Sequence, residues 1–320
     1  MSDPDDPKLL ITLGDVAGVG PEVVVKAWPE LVTFCRPVVV GDVAWLRGMT
    51  TADVVGAEEP PTSTRIPCLQ ATGVDLKGVA IGQVSAAAGR AAYDFLCQAI
   101  DLTLARKAHG IVTCPLHKEG LHAAGVPHPG HTEILAERTG APSHAMVLYG
   151  DGIAVAHVTL HVALRDALRM LTPESIYSRI VLLDQLIPRL VGRPGRIGVA
   201  ALNPHAGDGG LFGDEEGRLI VPAVEAAQRE GIDASGPWPS DTLFVRAARD
   251  EFDGVVAMYH DQGHIAMKLR SGLRCVNITA GLPIIRTSVA HGTAYDIAGR
   301  GIADPISLIE AARVAARLVM

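Results

Sequence analysis

Aromatic residues are scarce in this chain. Phe, Trp and Tyr make up 4% of its 320 residues, so a core must be built from Ala, Val, Leu and Ile. Net positive charge is also missing. The formal charge is −7 and no basic run exists to neutralise phosphates, which counts against nucleic acid as the main partner. A small anion held by a few local cations stays open. Cysteine is sparse and unpatterned: Cys35, Cys68, Cys97, Cys114 and Cys275 are odd in number, widely spaced and free of any Cys-x-x-Cys. That excludes a disulfide framework or a cysteine zinc site as the organising device and fits reduced thiols in the cytoplasm. No apolar run reaches membrane-spanning length. The start, "MSDPDDPK", is acidic with no apolar core and does not read as a signal peptide. Internal repeats and low-complexity segments are absent.

What is present is glycine and aliphatic residues in alternation. The chain holds 34 glycines and is 48% hydrophobic, which fits close packing of helices on sheets. Apolar runs read as strands at 9–13, 36–41, 110–114, 145–150, 153–160, 196–202, 254–259 and 274–279. Helical patterns fall at 21–31, 86–106, 131–140, 162–171, 173–190, 218–231 and 304–320. The strands are continuous rather than alternating in polarity, so they read as buried on both faces of largely parallel sheets covered by helices. The length suits one large α/β domain or two smaller ones. Two joined lobes with a cleft are expected, with 54–67 as an exposed excursion and "PHPG" (127–130) as a crossing point.

Five stretches can carry chemistry. "TLGDVAGVGPEVV" places Gly14, Gly18 and Gly20 between a strand and a helix opened by Pro21 and Glu22. The spacing is wrong for a dinucleotide fingerprint, and Pro and Glu at the helix start remove an amide donor and repel phosphate. It is either a tight turn or a cleft-lining turn with Asp15 facing a ligand. Histidines follow three buried strands: His161, His205 and His260. Ligands of parallel α/β sheets bind beyond the strands' carboxyl ends. Three imidazoles meeting there would suit a borderline divalent metal with a position left for water or substrate; three unrelated turn histidines are the alternative. His157 reads as a core or supporting histidine, and His264 as a helix-start or surface residue or a nearby acid/base. "GHTEILAE" offers Thr132 as a helix cap with Glu133 on the dipole, or His131 and Thr132 as contacts to an anion at a helix N-terminus. Lys268, Arg270, Arg274 and Arg286, with Asn277, are late polar groups able to hold an anionic ligand or simply to sit in solvent. "SVAHGTAYDIAGRGIADP" is a glycine-punctuated loop that could wrap a nucleotide, with Asp296 at the ribose, or be structural.

Taken in order, "GDVAGVGPE", "GHTE", "HVALRD", "NPHAGDGG", "SDTLF", "YHDQG", "NITAGLPIIRTS" and "HGTAYDIAGRG" resemble the 4-hydroxythreonine-4-phosphate dehydrogenase family over almost the whole chain. The resemblance implies a two-lobed α/β fold like that of the isocitrate and isopropylmalate dehydrogenases, with mostly parallel sheets and an interlobe cleft. It implies an NAD-binding lobe at 1–126 and 282–320, and a lobe for metal, substrate and dimerisation at 127–281. It implies a homodimer in which His161, His205 and His260 bind a divalent metal, zinc first and magnesium or cobalt otherwise, one histidine coming from the partner subunit. Substrate contacts fall at His131, Thr132, Lys268, Asn277 and Arg286. By similarity to the isopropylmalate enzymes, His291, Gly292, Thr293 and Asp296 would hold NAD or NADP. Lys268 would move a proton or bind a carboxylate, and Asp241 and Asp261 would orient the metal ligands.

The implied reaction is metal-assisted oxidation of a phosphorylated hydroxy acid, with loss of carbon dioxide from the 3-keto acid. Pro129 before Gly130, His264 and the proline-free "LHVALRD" depart from the biosynthetic pattern. They look more like the branches acting on 4-phospho-threonate, 4-phospho-erythronate or an aromatic cis-dihydrodiol carboxylate. A metal-dependent lyase or hydrolase without NAD, and a non-enzymatic anion-binding protein, are the rivals from other classes.

Overall fold

The computed structural model describes residues 6–320; most of the acidic start, residues 1–5, lies outside them. The chain divides into two compact units. One runs to Pro142 and resumes over Leu282–Met320; the other is Ser143–Gly281. Residues 127–142, which the resemblance groups with the metal lobe, fall in the first unit.

The first unit carries β1 (Lys8–Thr12), β2 (Arg36–Gly41), β3 (Asp53–Gly56), β4 (Arg65–Gln70) and β5 (Gly110–Thr113), with helices α1 (Gly20–Leu31), α2 (Val43–Met49), α3 (Ala86–Leu104), α4 (Lys118–Ala123) and α5 (His131–Thr139). The second unit contributes β6 (Ala145–Gly150), β7 (Ile153–His157), β8 (Ile197–Ala200), β9 (Ala234–Trp238), β10 (Gly254–Ala257) and β11 (Val276–Ala280). Its helices are α6 (Leu164–Met170), α7 (Pro173–Val191), α8 (Val221–Arg229), α9 (Ser240–Ala247) and α10 (His260–Ser271). The chain then returns to the first unit with β12 (Ile285–Val289) and α11 (Ile306–Val319).

Strands of the first unit lie in the order β3-β4-β2-β1-β5-β12, every neighbouring pair parallel. Those of the second lie in the order β11-β6-β7-β10-β8-β9. There β11, β6 and β7 are antiparallel neighbours and the rest parallel. This is the expected α/β class with mostly parallel sheets. The strands β5, β7, β8 and β10 are buried at every residue, as strands covered on both faces must be.

Helix ends follow local chemistry. Thr172 and Ser175 form a reciprocal cap at the start of α7, with Pro173 in the first helical position. Ile176, Ile180, Leu183, Ile187 and Leu190 then form a buried stripe at helical spacing, each contributing roughly 1.5–3 kcal/mol of burial.

The differences from the sequence expectation have physical reasons. The ends of 54–67 form β3 and β4, paired in parallel from Asp53–Arg65 to Gly56–Cys68, and the mostly exposed turns and bends of 57–64 join them. The run 153–160 stops being a strand after His157. Helices α2, α4 and α9 are too short to establish a periodic signal. The twelve residues of α10 bury only Gly263, Met267 and Ser271, so no apolar stripe announces them.

Candidate active site

Three histidines of the second unit lie beyond the carboxyl ends of its parallel strands. His161 follows β7 by four residues, His205 follows β8, and His260 opens α10 after β10. The rings of His161 and His260 are 5.8 Å apart, centre to centre. They line one cavity of about 400 Å³ with Leu160, Val162, Tyr259 and Asp261. The Nδ1 of His260 donates to Asp261 Oδ1 at 2.7 Å, which leaves Nε2 as the lone-pair nitrogen. A carboxylate behind an imidazole is the arrangement that fixes a metal-binding tautomer. Two imidazoles on one ion at ~2 Å place their ring centres about 5–6 Å apart, so this pair fits a divalent cation. His205 lines a separate cavity of about 300 Å³ with Asn203, Ser240, Asp241, Tyr259 and Gln262. Among the described residues, no three His, Cys, Asp or Glu side chains are grouped to hold a metal. One chain therefore brings two of the three histidines together and leaves the third apart.

Behind His260 stands a second layer. His264, one turn along α10, stacks on His260 at 3.7 Å and 11°. Its Nδ1 lies 3.1 Å from both the His260 carbonyl and His157 Nε2. Burial, then the charges of neighbouring imidazoles, push His157 down to about 3. Burial and His260 push His264 down to about 4. Lys268 continues the same face one turn further. Asp261 is exposed apart from its bond to His260, and Asp241 accepts the Thr242 amide at 2.8 Å in the first turn of α9. Asn277, on β11, has a buried Oδ1 with no hydrogen-bond partner, an acceptor suited to a ligand donor.

The anion-type residues of the first unit also take shape. Arg286, on β12, is 3% exposed and donates from Nη2 to Thr113 Oγ1 at 2.6 Å. Burial lowers its pKa to about 9. Burial, then the charge of Arg286, hold His131 well below the ordinary imidazole range. A neutral imidazole and a buried guanidinium at a helix start are able to recognise an anion. Thr132 is not the cap: Gly130 is, without a side-chain bond, and α5 begins at His131. The helix therefore starts two residues earlier than a Thr132 cap would place it.

The glycine-rich "GDVAGVGPE" is more than a bare turn. It is a clamp on the 291–303 loop. The Val19 amide donates to the Thr293 carbonyl at 2.9 Å. Glu22 accepts the Gly301 and Ala303 amides at 3.2 and 2.8 Å. Lys26 donates to the carbonyls of the same two residues at 2.8 and 2.7 Å. Tyr295 OH donates to Asp15 Oδ2 at 2.7 Å, and His117 stacks on Tyr295 at 4.9 Å. Asp15 is fully buried and faces this loop. Burial raises its pKa against the bonds from Tyr295 and Ala17. In the clamped loop, the buried Thr293 is engaged through its backbone, His291 Nδ1 donates to the Gly292 carbonyl at 2.9 Å, and Gly292 and Asp296 are exposed. Nothing in the sequence marks Tyr295 and Glu22 for these supporting roles. The i,i+4 spacing of Glu22 and Lys26 at a helix start does not by itself name the loop of bare glycine amides and carbonyls that they face.

Comparison with known proteins agrees over nearly the full length. The family described as "Pyridoxal phosphate biosynthetic protein PdxA" matches residues 33–315. A D-threonate 4-phosphate dehydrogenase of Cupriavidus necator is 47% identical, covering 98% of this chain and 97% of that protein. A 4-hydroxythreonine-4-phosphate dehydrogenase of Beijerinckia indica is 46% identical over 98% and 95%. The crystal structure of the 4-hydroxythreonine-4-phosphate dehydrogenase of Klebsiella pneumoniae is 41% identical, with a TM-score of 0.91 over 99% of each chain. By these matches the chain belongs to the PdxA family.

Proposed function

We propose that this protein is an NAD- or NADP-dependent, divalent-metal-dependent dehydrogenase of a phosphorylated hydroxy acid, 4-hydroxythreonine 4-phosphate or D-threonate 4-phosphate. The observation that carries the reading is the His161–His260 pair, its tautomer set by Asp261, at the carboxyl ends of parallel strands. His161, His260 and His205 would hold the metal, zinc in the first instance and magnesium or cobalt as alternatives. His205 stands apart from the other two within one chain, which supports a site completed by a second copy. Exposed apolar side chains support that homodimer: Leu164 and Met170 on α6 and Ile265 and Leu269 on α10 are all more than half exposed, where a monomer has little reason to place them.

When bound, the cation would lower the pKa of the substrate hydroxyl and the nicotinamide would accept the hydride. The chain's own residues do the rest. Lys268 takes up or returns the hydroxyl proton, or holds a carboxylate. His131, Thr132 and Arg286 hold the phosphate, the buried guanidinium supplying charge that solvent does not screen. Asn277 orients a polar substrate group through its Oδ1. Asp261 keeps Nε2 of His260 in place, and Asp241, which lines the same cavity as His205, does the same there. His291, Gly292, Thr293 and Asp296 hold the dinucleotide's adenosine, on a loop made rigid by Asp15, Glu22 and Lys26. For a substrate whose oxidation yields a 3-keto acid, loss of carbon dioxide draws the reaction forward. The five cysteines, none of them in a disulfide, support a reducing, cytoplasmic setting.

His264, stacked on the proposed ligand His260, supports the readings outside the biosynthetic pattern: D-threonate 4-phosphate, 4-phospho-erythronate or an aromatic cis-dihydrodiol carboxylate. The deciding assay is NADH or NADPH formation with zinc, magnesium or cobalt and a panel of the two phosphorylated acids, 4-phospho-erythronate and an aromatic cis-dihydrodiol carboxylate. Reduction with one phosphorylated acid is expected. No reduced cofactor with any of them would leave the metal-dependent lyase or hydrolase, or the anion-binding protein, in its place. Asp261→Asn should weaken zinc binding ~10–100-fold; unchanged affinity would remove Asp261 from its orienting role.

A further inference from the structure

The segment that carries His205 has an unusual backbone. His205 (φ 53°, ψ 28°), Ala206 (φ 56°, ψ 41°), Gly207 (φ 78°, ψ −10°), Asp208 (φ 45°, ψ 54°) and Gly209 (φ 67°, ψ 21°) are five consecutive residues in the left-handed region. Three of them are not glycine, and L-residues avoid that region because Cβ crowds the following carbonyl. Such a run persists only where its surroundings over-determine it. His205 is exposed and its own side chain cannot impose the shape.

One buried carboxylate can. Glu216 is 5% exposed and opens the wide, π-helical turn Glu216–Ile220 that leads into α8. Its Oε1 accepts the amides of Leu202 and Asn203 at 2.9 and 2.7 Å. Its Oε2 accepts Asn203 Nδ2 at 3.0 Å. The left-handed turn packs directly on it: a Cβ on Gly207 would stand 2.7 Å from Glu216 Oε2. Burial favours the protonated form, yet the bonds from Asn203 and Leu202 outweigh it and the carboxyl titrates below its ordinary range. The anchor is thus a charged acceptor under a strained loop, at both its entry and its middle.

We propose that Glu216 is the positioning residue of His205, the group that holds the 202–210 turn in the shape that presents the third imidazole. The proposal rests on the metal reading above for its consequence in binding, though not for its structural content.

The test uses the full chain with Zn²⁺ as the probe, measured by competition with a chromophoric chelator, alongside hydrogen–deuterium exchange of the backbone amides. Glu216→Ala is expected to lower Zn²⁺ affinity ~10–100-fold and to speed exchange within 202–210 while β7, β10 and α10 keep theirs. Glu216→Gln retains one acceptor oxygen for the two amides and should recover most of the affinity. In the Glu216→Ala background, His205→Ala should add little further loss, since the two act as one unit. Unchanged affinity, or losses from Glu216 and His205 that simply add, would overturn the proposal. If Glu216→Ala does not fold, amide exchange on Glu216→Gln decides: faster exchange confined to 202–210 supports the positioning role, and unaltered exchange overturns it. If the unmodified protein binds no Zn²⁺, the metal reading fails, and exchange still decides: faster exchange confined to 202–210 in Glu216→Gln supports the positioning role, and unaltered exchange ends it.

Discussion

Two glycine-rich stretches of this chain look alike on paper and do opposite work. In the first unit, "GDVAGVGPE" is buried throughout; its glycines let backbones touch. In the second, "NPHAGDGG" is mostly exposed, and its left-handed run exists to hold out His205. Gly14 has φ +66°, and a Cβ there would stand 2.2 Å from the Pro115 carbonyl oxygen. The first stretch thus leaves no room, while the second is short of stable backbone geometry. Glycine count reports neither distinction. What separates the two is what each packs against: the Cys114–Pro115 backbone just past β5 in one case, and in the other the carboxylate of Glu216 under Gly207, with Glu215 beside it on Asn203.

The largest expected effect tests the crowded stretch. Gly14→Ala adds both a left-handed penalty and a clash with backbone that cannot rotate away, and should cost about 2–5 kcal/mol. A urea titration of the variant reads it directly. A loss below about 1 kcal/mol would mean the turn tolerates side chains and is not a packing device.

Next come two buried carboxylates, one per unit, with opposite pH behaviour. Asp253 accepts from Arg193 Nη1 and Nη2 at 2.9 and 2.7 Å and from Arg196 Nε at 3.1 Å. Burial alone would raise its pKa, but those bonds depress it well below the ordinary value. A depressed folded pKa contributes stability that is present above the unfolded value, about 3.9, and lost as pH falls through the folded one. Asp15 has only neutral donors and a raised pKa. Its contribution is full below the unfolded value and declines as pH rises through the folded one. Asp253→Asn should therefore cost about 1–2 kcal/mol near neutral pH, the half-exposed arginines being partly screened, and should flatten the acid limb. Asp15→Asn should leave the acid limb in place and remove the decline on its alkaline side. Thermal unfolding against pH separates them; identical profiles would erase the contrast.

The class of fold was legible because continuous apolar strands alternate with helical stripes, as in "GVVAM" and the Ile176–Leu190 stripe. The family was legible because its motifs are long and ordered. Elements were missed where the signal depends on partners. The ends of 54–67 become strands only by pairing with each other and with β2. The site was legible as residue types at strand ends, which placed His161 and His260 in neighbouring positions. It was not legible as support. Nothing local in "GDEEGRLIV" distinguishes Glu216, buried beneath a loop, from Glu215 beside it, and nothing near Asp15 names Tyr295, 280 residues away.

A smaller effect probes the clamp itself. Tyr295→Phe removes one hydrogen bond to Asp15 and should cost about 0.5–1.5 kcal/mol. Because the loop it ties down also carries the proposed dinucleotide residues, KM for the cofactor should rise with zinc affinity unchanged. A change in zinc affinity instead would mean that the clamp does more than hold its own loop.

The smallest effect lies in the strained stretch. Asp208 sits at φ 45° with its side chain exposed. Replacing it with glycine relieves left-handed crowding, roughly 1 kcal/mol for an Asp that tolerates the region better than most. The same change loosens the unfolded chain, which works against folding by ~0.4–1 kcal/mol. The two terms nearly cancel, so Asp208→Gly should alter stability by less than about 0.5 kcal/mol while amide exchange at 204–210 quickens. A urea midpoint far from the parent's would show that Asp208 makes an interaction of its own. Unaltered exchange would show that the turn's shape is fixed by Glu216 alone, with no share left to the residues inside it.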